Sequence, residues 1–117
     1  MNLFAHTHVP EVTATRAMEM IEAGAALVDI RELDEWLAGH APMAIHIPMG
    51  ELTSRSEVFS ASDPTLFICR SGRRSDHAVG VLIKAGHHAV NLTGGMQAWQ
   101  QAGGAVVRDD GSTGTVI

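Results

Sequence analysis

Apolar residues along the chain fall into short compact runs separated by segments with helical spacing. Such runs predict buried strands, because a strand covered on both faces carries apolar side chains at successive positions. The runs cover residues 26–30, 44–47, 66–68 and 88–92. A further strand is predicted around residues 9–12, where Pro10 favours the edge of a sheet over its centre.

Between the predicted strands, apolar residues recur at intervals of three and four positions, which indicates helices. The first helix is predicted to start at Thr13 or Thr15 and to end at Gly24, with an apolar face of Ala14, Ala17, Met18, Ile21 and Ala25. A short second helix is predicted from Leu33 or Asp34 to Gly39, with Leu33, Trp36 and Leu37 facing inward. A third carries Ala78, Val79, Leu82 and Ile83 and ends at Gly86, and a fourth covers residues 96–102 with Trp99 packed inward.

Two segments have weaker patterns. Residues 50–62 combine hydroxyl groups with scattered apolar residues, which predicts a helix plus a loop. Residues 108–115 are rich in Gly, Asp, Ser and Thr, which predicts a loose tail or a surface turn.

Strands that alternate with helices are typical of an α/β fold with a mostly parallel sheet. We expect about five strands with helices on both faces, in a single domain that spans residues 1–117. Its core is expected at about residues 9–107, between a short N-terminal lead-in and a C-terminal tail. Ligands of such sheets bind at the carboxyl ends of the strands.

The composition is that of an ordinary globular chain, with 45% hydrophobic and 18% charged residues among 117. The formal net charge is -5 and Lys84 is the only lysine, so the extended basic surface that nucleic-acid binding needs is not expected. A single cysteine excludes an internal disulfide and a cysteine-pair zinc site. The sequence contains no signal-peptide pattern and no apolar stretch of membrane-spanning length, so we expect a cytoplasmic protein with no membrane partner.

The single cysteine, Cys69, stands between a predicted strand and a predicted helix, in the segment Cys69-Arg70-Ser71-Gly72-Arg73-Arg74-Ser75. A lone cysteine after an apolar run is commonly a small buried hydrophobe. Three arginines within the next five positions argue against that interpretation here, because their charges resist burial. A helix N-terminus and nearby arginines both stabilise a thiolate, the nucleophilic form, and the same loop could bind an oxyanion.

Four segments together resemble the rhodanese (thiosulfate sulfurtransferase) family, and most closely its single-domain members. The strand Leu27-Val28-Asp29-Ile30-Arg31-Glu32 resembles the family's strand that ends in Asp-x-Arg. The stretch from Gly39 to Pro48 resembles its Gly-His-Ile-Pro region, with Met43 where the family often has glycine. The Cys69 loop resembles the active-site loop, and Leu92-Thr93-Gly94-Gly95 followed by Trp99 resembles the closing motif.

The resemblance implies a rhodanese-like fold and a double-displacement reaction. Cys69 would attack the outer sulfur of thiosulfate or a related donor, release sulfite and become a persulfide. Cyanide or a thiol, including thioredoxin or glutathione, would then accept the sulfur, with no cofactor and no metal. The residues Arg70, Ser71, Gly72, Arg73 and Arg74 would bind substrate, with Arg74 the best candidate for closing the loop and Arg70 facing the surrounding surface. Asp29 and Arg31 would have either a supporting role near the loop or a purely structural one.

Three other functions compete with this one. Cysteine-dependent phosphatases, including rhodanese-like cell-cycle phosphatases, use Cys-x5-Arg, whereas the sixth position after Cys69 is Ser75 and Arg74 falls one residue earlier. An arsenate reductase of that type would usually need a second thiol. A sulfur carrier would form the same persulfide but turn over poorly without its partner protein.

Several other residue patterns are best explained by structure. The chain has seven histidines, and the pair His6 and His8 lacks a third nearby ligand for a metal site. Asp34 and Glu35 are typical acids of a helix's first turn, which favour its dipole. Gly94 and Gly95 are expected to reverse the chain before the last helix.

Overall fold

A single parallel sheet organises the part of the chain that the computed structural model describes, residues 9–59 and 63–117. Its strands are β1 (Glu11–Val12), β2 (Ala26–Asp29), β3 (Ile45–His46), β4 (Thr65–Ile68) and β5 (Ala89–Leu92). Their spatial order is β1-β5-β4-β2-β3, and every pair is parallel. The predicted α/β class and five-stranded sheet are confirmed, and the strand that contains Val12 lies at an edge.

The helices are α1 (Ala14–Glu22), α2 (Leu33–Ala38), α3 (Arg73–Lys84) and α4 (Gly95–Gln101). The side chain of Thr13 caps α1 by accepting a hydrogen bond from the backbone N–H of Arg16 at 3.2 Å. None of these helices is long and apolar enough to cross a membrane, within the residues that the structure describes.

The core lies on both faces of the sheet, because successive strand residues point to opposite sides. Leu27 and Leu66 face a cluster that includes Ala17 of α1 and Trp99 of α4. Val28 and Phe67 face a second cluster with α3. Helices therefore cover both faces, as the sequence predicted.

Helix α2 corrects the prediction made for its apolar residues. Leu33 and Leu37 were expected to face inward, but they are 57% and 49% exposed. The helix has only six residues and no buried one, so an apolar stripe does not hold it in place. Instead Trp36 stacks on the rings of His40 and His46, at centroid distances of 3.6 and 4.8 Å. A capping box between Glu32 and Glu35 begins the helix.

The segment after β3 contains two 3₁₀ turns, Met49–Glu51 and Ser56–Val58, rather than one regular helix. Leu52 and Phe59 anchor it in the core. The remainder of the predicted helix and loop, residues 60–62, lies outside the described residues, as do His6 and His8.

The C-terminal segment forms the surface turn that was one of its two predicted alternatives. Val107 bridges to both His40 and Thr113, and the N–H of Thr115 donates to Ala38 O at 2.8 Å. The His40 ring contacts Asp109 Oδ1 at 2.8 Å. Residues 106–115 are therefore fixed against the end of α2.

Candidate active site

Cys69 lies at the junction between β4 and α3, at the carboxyl edge of the sheet. All four residues of β4 are buried, and the Cys69 side chain that follows is only 1% exposed. Gly72 has φ +97°, a conformation that glycine adopts most easily, and it turns the chain into the first residue of α3. The loop therefore holds its sulfur against the N-terminus of the longest helix described.

Two backbone N–H groups donate to the sulfur. The amide nitrogen of Gly72 is 3.1 Å from Cys69 Sγ, and that of Ser75 is 3.4 Å from it. Both belong to the start of α3, where N–H groups lack partners within the helix and the helix dipole is positive. These donors stabilise negative charge on the sulfur and suit a nucleophilic thiolate.

The three loop arginines occupy different positions. Arg74 makes a bidentate ion pair with Glu35 of α2, with N···O distances of 2.8 and 2.7 Å. Arg70 is exposed, and its Nε donates to Ile117 O at 3.0 Å. Arg73 is exposed at the first turn of α3. Arg74 is thus the loop arginine that the fold holds in a defined orientation.

The Glu35–Arg74 pair is electrostatically matched. Hydrogen bonds from Arg74 hold the pKa of the Glu35 carboxyl below its usual value, although partial burial acts in the opposite direction. The same hydrogen bonds raise the pKa of Arg74, and the Cys69 sulfur would raise it further when it is ionised. The guanidinium therefore lies within electrostatic reach of the sulfur.

Asp29 and Arg31 form a fully buried ion pair at the end of β2, with both side chains 0% exposed. Arg31 Nε and Nη2 donate to the Asp29 carboxylate at 2.7–3.1 Å. The remaining guanidinium donors reach the carbonyl oxygens of Glu35, at 3.2 Å, and Gly39, at 2.8 Å. The pair thus supports the backbone of α2, and α2 in turn presents Glu35 to Arg74.

Glu35, Ser75 and Asn91 take part in the hydrogen bonds of the loop, and the sequence reasoning gave none of them a role in the site. The hydroxyl oxygen of Ser75 is 3.3 Å from Cys69 Sγ and 2.6 Å from Asn91 Oδ1. Glu35 was interpreted only as a first-turn acid. A signal for Asn91 was available, since it is a lone polar residue inside the apolar run of β5.

The N-terminus of α4 packs directly on the Cys69 loop. Met96 N–H donates to Cys69 O at 2.8 Å, and Gln97 N–H donates to Arg70 O at 3.1 Å. A Cβ at Gly95 would lie 2.4 Å from Cys69 O, so glycine is needed there for close approach. Gly94 and Gly95 were expected only to reverse the chain, but Gly95 also lets the N–H groups of α4 donate to the carbonyls of the loop.

An open hollow of about 410 Å³ adjoins the loop. Its walls carry charges of both signs and backbone from the loop, and it is lined by Glu11, Ser71, Gly72, Arg73, Asp76, Asn91, Thr93 and Gly94. No group of three or more metal-ligating side chains occurs among residues 9–59 and 63–117.

Known proteins resemble this chain in sequence and architecture. The family model described as the rhodanese-like domain matches residues 13–102. A Bacillus subtilis protein named "Putative sulfurtransferase YtwF" is 37% identical over 94 residues, which cover 79% of this chain and 91% of that protein. Another from the same organism, "Putative sulfur carrier protein YrkF", is 33% identical over 78% of this chain, but the match spans only 51% of that protein. The crystal structure of a rhodanese-related protein from Thermoplasma volcanium superposes with a TM-score of 0.76 at 31% identity, covering 84% of this chain and 97% of that one.

Proposed function

The chain belongs to the rhodanese-like family, and on that premise we propose that it is a sulfurtransferase that uses Cys69 as its nucleophile. The observation that carries the proposal is the pair of amides from Gly72 and Ser75 on Cys69 Sγ, at 3.1 and 3.4 Å. They supply fixed positive dipoles at the atom where a thiolate would carry its charge. The relatives named as a sulfurtransferase and a sulfur carrier support the same chemistry.

The proposed first step is attack of the Cys69 thiolate on the outer sulfur of thiosulfate or a related donor. A new S–S bond forms at Cys69, and the S–S bond of the donor breaks. Sulfite leaves with the electron pair of that bond, and a persulfide remains on the enzyme. Arg74 lies within electrostatic reach of the sulfur and can stabilise the leaving anion.

The second step returns the enzyme to its starting state. Cyanide or a thiol attacks the terminal persulfide sulfur, and the electron pair of the S–S bond returns to Cys69 Sγ. We propose that the acceptor in a cell is a thiol such as thioredoxin or glutathione. We also propose that the protein is cytoplasmic, because thiols stay reduced in that compartment.

The phosphatase alternative conflicts with the loop. A Cys-x5-Arg loop would place a guanidinium at the sixth position, but Ser75 stands there with its hydroxyl 3.3 Å from the sulfur. Arg74, one position earlier, is paired with Glu35.

A sulfur carrier is the second candidate, favoured by the relative that bears that name. Both functions form the Cys69 persulfide, and they differ in turnover without a partner protein. Steady-state transfer of sulfur from thiosulfate to cyanide by the purified protein separates them.

We expect multiple turnovers by the wild-type protein and activity at background in Cys69→Ser, because the serine hydroxyl is a far weaker nucleophile. Arg55→Ala is the matched control, since Arg55 forms an exposed ion pair with Glu51 and does not line the hollow beside the loop. A persulfidated wild type that does not turn over would indicate the carrier. Full activity in Cys69→Ser would refute both functions.

A further inference from the structure

A buried polar chain runs from the sulfur of Cys69 through Ser75 to Asn91. The residues Ser75, Asn91 and Cys69 are 0%, 2% and 1% exposed. Ser75 Oγ is 2.6 Å from Asn91 Oδ1, 3.3 Å from Cys69 Sγ and 3.4 Å from Gly72 O. Because a hydroxyl has one proton, only one of these three neighbours can receive it at a time.

The orientation of the Asn91 amide is fixed by its other neighbour. Asn91 Nδ2 donates to Gly72 O at 3.3 Å. The reversed amide would place two oxygen acceptors, Asn91 Oδ1 and Gly72 O, against each other in a buried site. Asn91 Oδ1 therefore faces Ser75.

The short contact decides where the hydroxyl proton lies. Two oxygens 2.6 Å apart need a proton between them, and the Asn91 Oδ1 atom cannot supply one. The Ser75 hydroxyl therefore donates to Asn91, and it presents a lone pair to Cys69 Sγ. A lone pair favours a thiol, which can donate its S–H proton to Ser75 Oγ, and disfavours a thiolate.

We propose that Ser75 and Asn91 hold the resting Cys69 as a neutral thiol, against the two amides that favour its thiolate. Asn91 is a positioning residue that acts through Ser75, whereas Ser75 touches the reacting sulfur. When the thiol loses its proton to water, the hydroxyl turns from Asn91 Oδ1 to the thiolate and becomes a third donor to it. Asn91 Oδ1 then loses the hydrogen bond from Ser75. The loss of this bond is the free-energy cost of forming the thiolate.

The charged groups around the loop are not altered when the Ser75 hydroxyl turns from Asn91 to the sulfur. Those in the loop and in the elements packed around it are Arg70, Arg73, Arg74, Glu35, Asp76, Glu11 and the buried pair Asp29–Arg31. Substitutions at Ser75 and Asn91 leave all of these charged groups in place. The effect of the substitutions on the sulfur can therefore be measured separately from the effect of the charges.

The proposal is tested by the rate at which iodoacetamide alkylates Cys69 at pH 7, since the thiolate is the reacting form. Asn91→Leu frees the hydroxyl proton for the sulfur. We expect alkylation to speed up roughly tenfold, the lower limit for one hydrogen bond to a charged group. In a Ser75→Ala background the same Asn91→Leu change should leave the rate within about twofold. In a Ser75→Thr background, which keeps a hydroxyl, Asn91→Leu should again speed up alkylation about tenfold.

A slower rate in Asn91→Leu, or an equal effect of that change with and without the hydroxyl, would overturn the proposal. The inference rests on the proposed function only in taking Cys69 as the reacting group. Because alkylation needs no sulfur donor, failure here would leave thiosulfate turnover intact, and absence of turnover would leave the alkylation result intact.

The infrared S–H stretching band provides a second measurement that does not require Asn91→Leu to fold. Cys69 is the only cysteine, so the band has a single origin. We expect the wild type to show the band at pH 7, and Ser75→Ala to move it to higher frequency because the S–H donor loses its acceptor. Absence of the band in the wild type, or an unchanged frequency in Ser75→Ala, would contradict a thiol held by Ser75.

Discussion

Two ion pairs near the loop differ in burial and therefore in energetic role. Asp29–Arg31 is fully buried, whereas Glu35–Arg74 is partly exposed, with side chains 14% and 38% accessible. A buried charge that loses its partner is costly, because the protein cannot replace the missing interaction with water. The buried pair is thus a structural support for α2, and the outer pair orients a loop arginine.

Removing one partner of the buried pair should destabilise the fold strongly. We expect Asp29→Asn to lower the free energy of unfolding by about 3–5 kcal/mol, because Arg31 would remain charged and buried. The measurement is urea unfolding of the purified protein. The control is Glu19→Gln, which breaks an exposed pair with Arg16 and should cost about 1 kcal/mol or less. Equal effects of the two substitutions would contradict this role.

Residue-scale prediction from the sequence succeeded where chemistry is local. Cys69 and its arginines stand within six positions of one another, so their association could be seen in the sequence. The pairing of Arg74 with Glu35 could not, because 39 positions separate the two residues. The helix dipole alone explains an acidic residue in the first turn of a helix. The sequence therefore gave no reason to expect that Glu35 also pairs with Arg74.

At the scale of elements, α4 functions as a brace for the Cys69 loop. Its first N–H groups satisfy the carbonyls of Cys69 and Arg70, which lets the loop keep its own amides for the sulfur. This contact depends on Gly95, which has φ +58° and no room for a Cβ.

Gly95→Ala should separate α4 from the loop. Its Cβ would meet backbone atoms at 2.4–2.6 Å, and backbone cannot move as cheaply as a flexible side chain. We expect it to be less stable than Gly103→Ala by about 2 kcal/mol or more. Gly103 also has a positive φ, +89°, but nothing lies within 4 Å of its Cβ position, so that control carries only the backbone strain.

Thermal unfolding of both variants, together with their alkylation rates at Cys69, checks this prediction. Gly95→Ala should change the reactivity of the sulfur and Gly103→Ala should not. Similar stability and reactivity in the two variants would show that α4 does not brace the loop.

Prediction of elements from the sequence was accurate for position and weaker for orientation. Strand runs such as residues 66–68 were located within a residue or two, because strands covered on both faces are apolar throughout. The inward face of α2 was wrong, because a helix of six residues is held by Arg31 and by the Trp36 stack rather than by an apolar stripe.

At the scale of the whole molecule, the Glu35–Arg74 pair ties α2 to α3 across the carboxyl edge of the sheet. The pKa of Glu35 lies below its ordinary value of 4.5 because Arg74 donates hydrogen bonds to it. A carboxyl whose pKa is lowered by folding stabilises the folded state above its unfolded pKa. That stabilisation is lost as the pH falls through the folded pKa.

Glu35→Gln should therefore lower the free energy of unfolding at pH 7 by about 1 kcal/mol, the upper range for a partly exposed pair. The difference from the wild type should shrink as the pH falls below 4.5 and be lost as the pH passes through the lower pKa that Glu35 has in the folded state. Urea unfolding across this pH range is the measurement. A difference that stays constant down to the lowest pH would show that the charge of Glu35 contributes nothing.

The parallel α/β architecture was predictable because strands and helices alternate along the chain. The order of the strands in the sheet was not predicted. The position of the C-terminal turn against the end of α2 could not be predicted from the sequence. Gly111 and its polar neighbours favour a turn, but the partner of Val107 is His40, far away in the sequence. Such long-range pairing depends on the assembled sheet.

The central claim is that Cys69 accepts a sulfur atom from its donor. Intact mass spectrometry after incubation with thiosulfate tests it most directly. We predict that the wild-type mass increases by one sulfur atom, that cyanide reverses the increase, and that Cys69→Ser shows none. A wild-type protein whose mass stays unchanged with thiosulfate, or a Cys69→Ser variant that gains the same mass, would contradict the account.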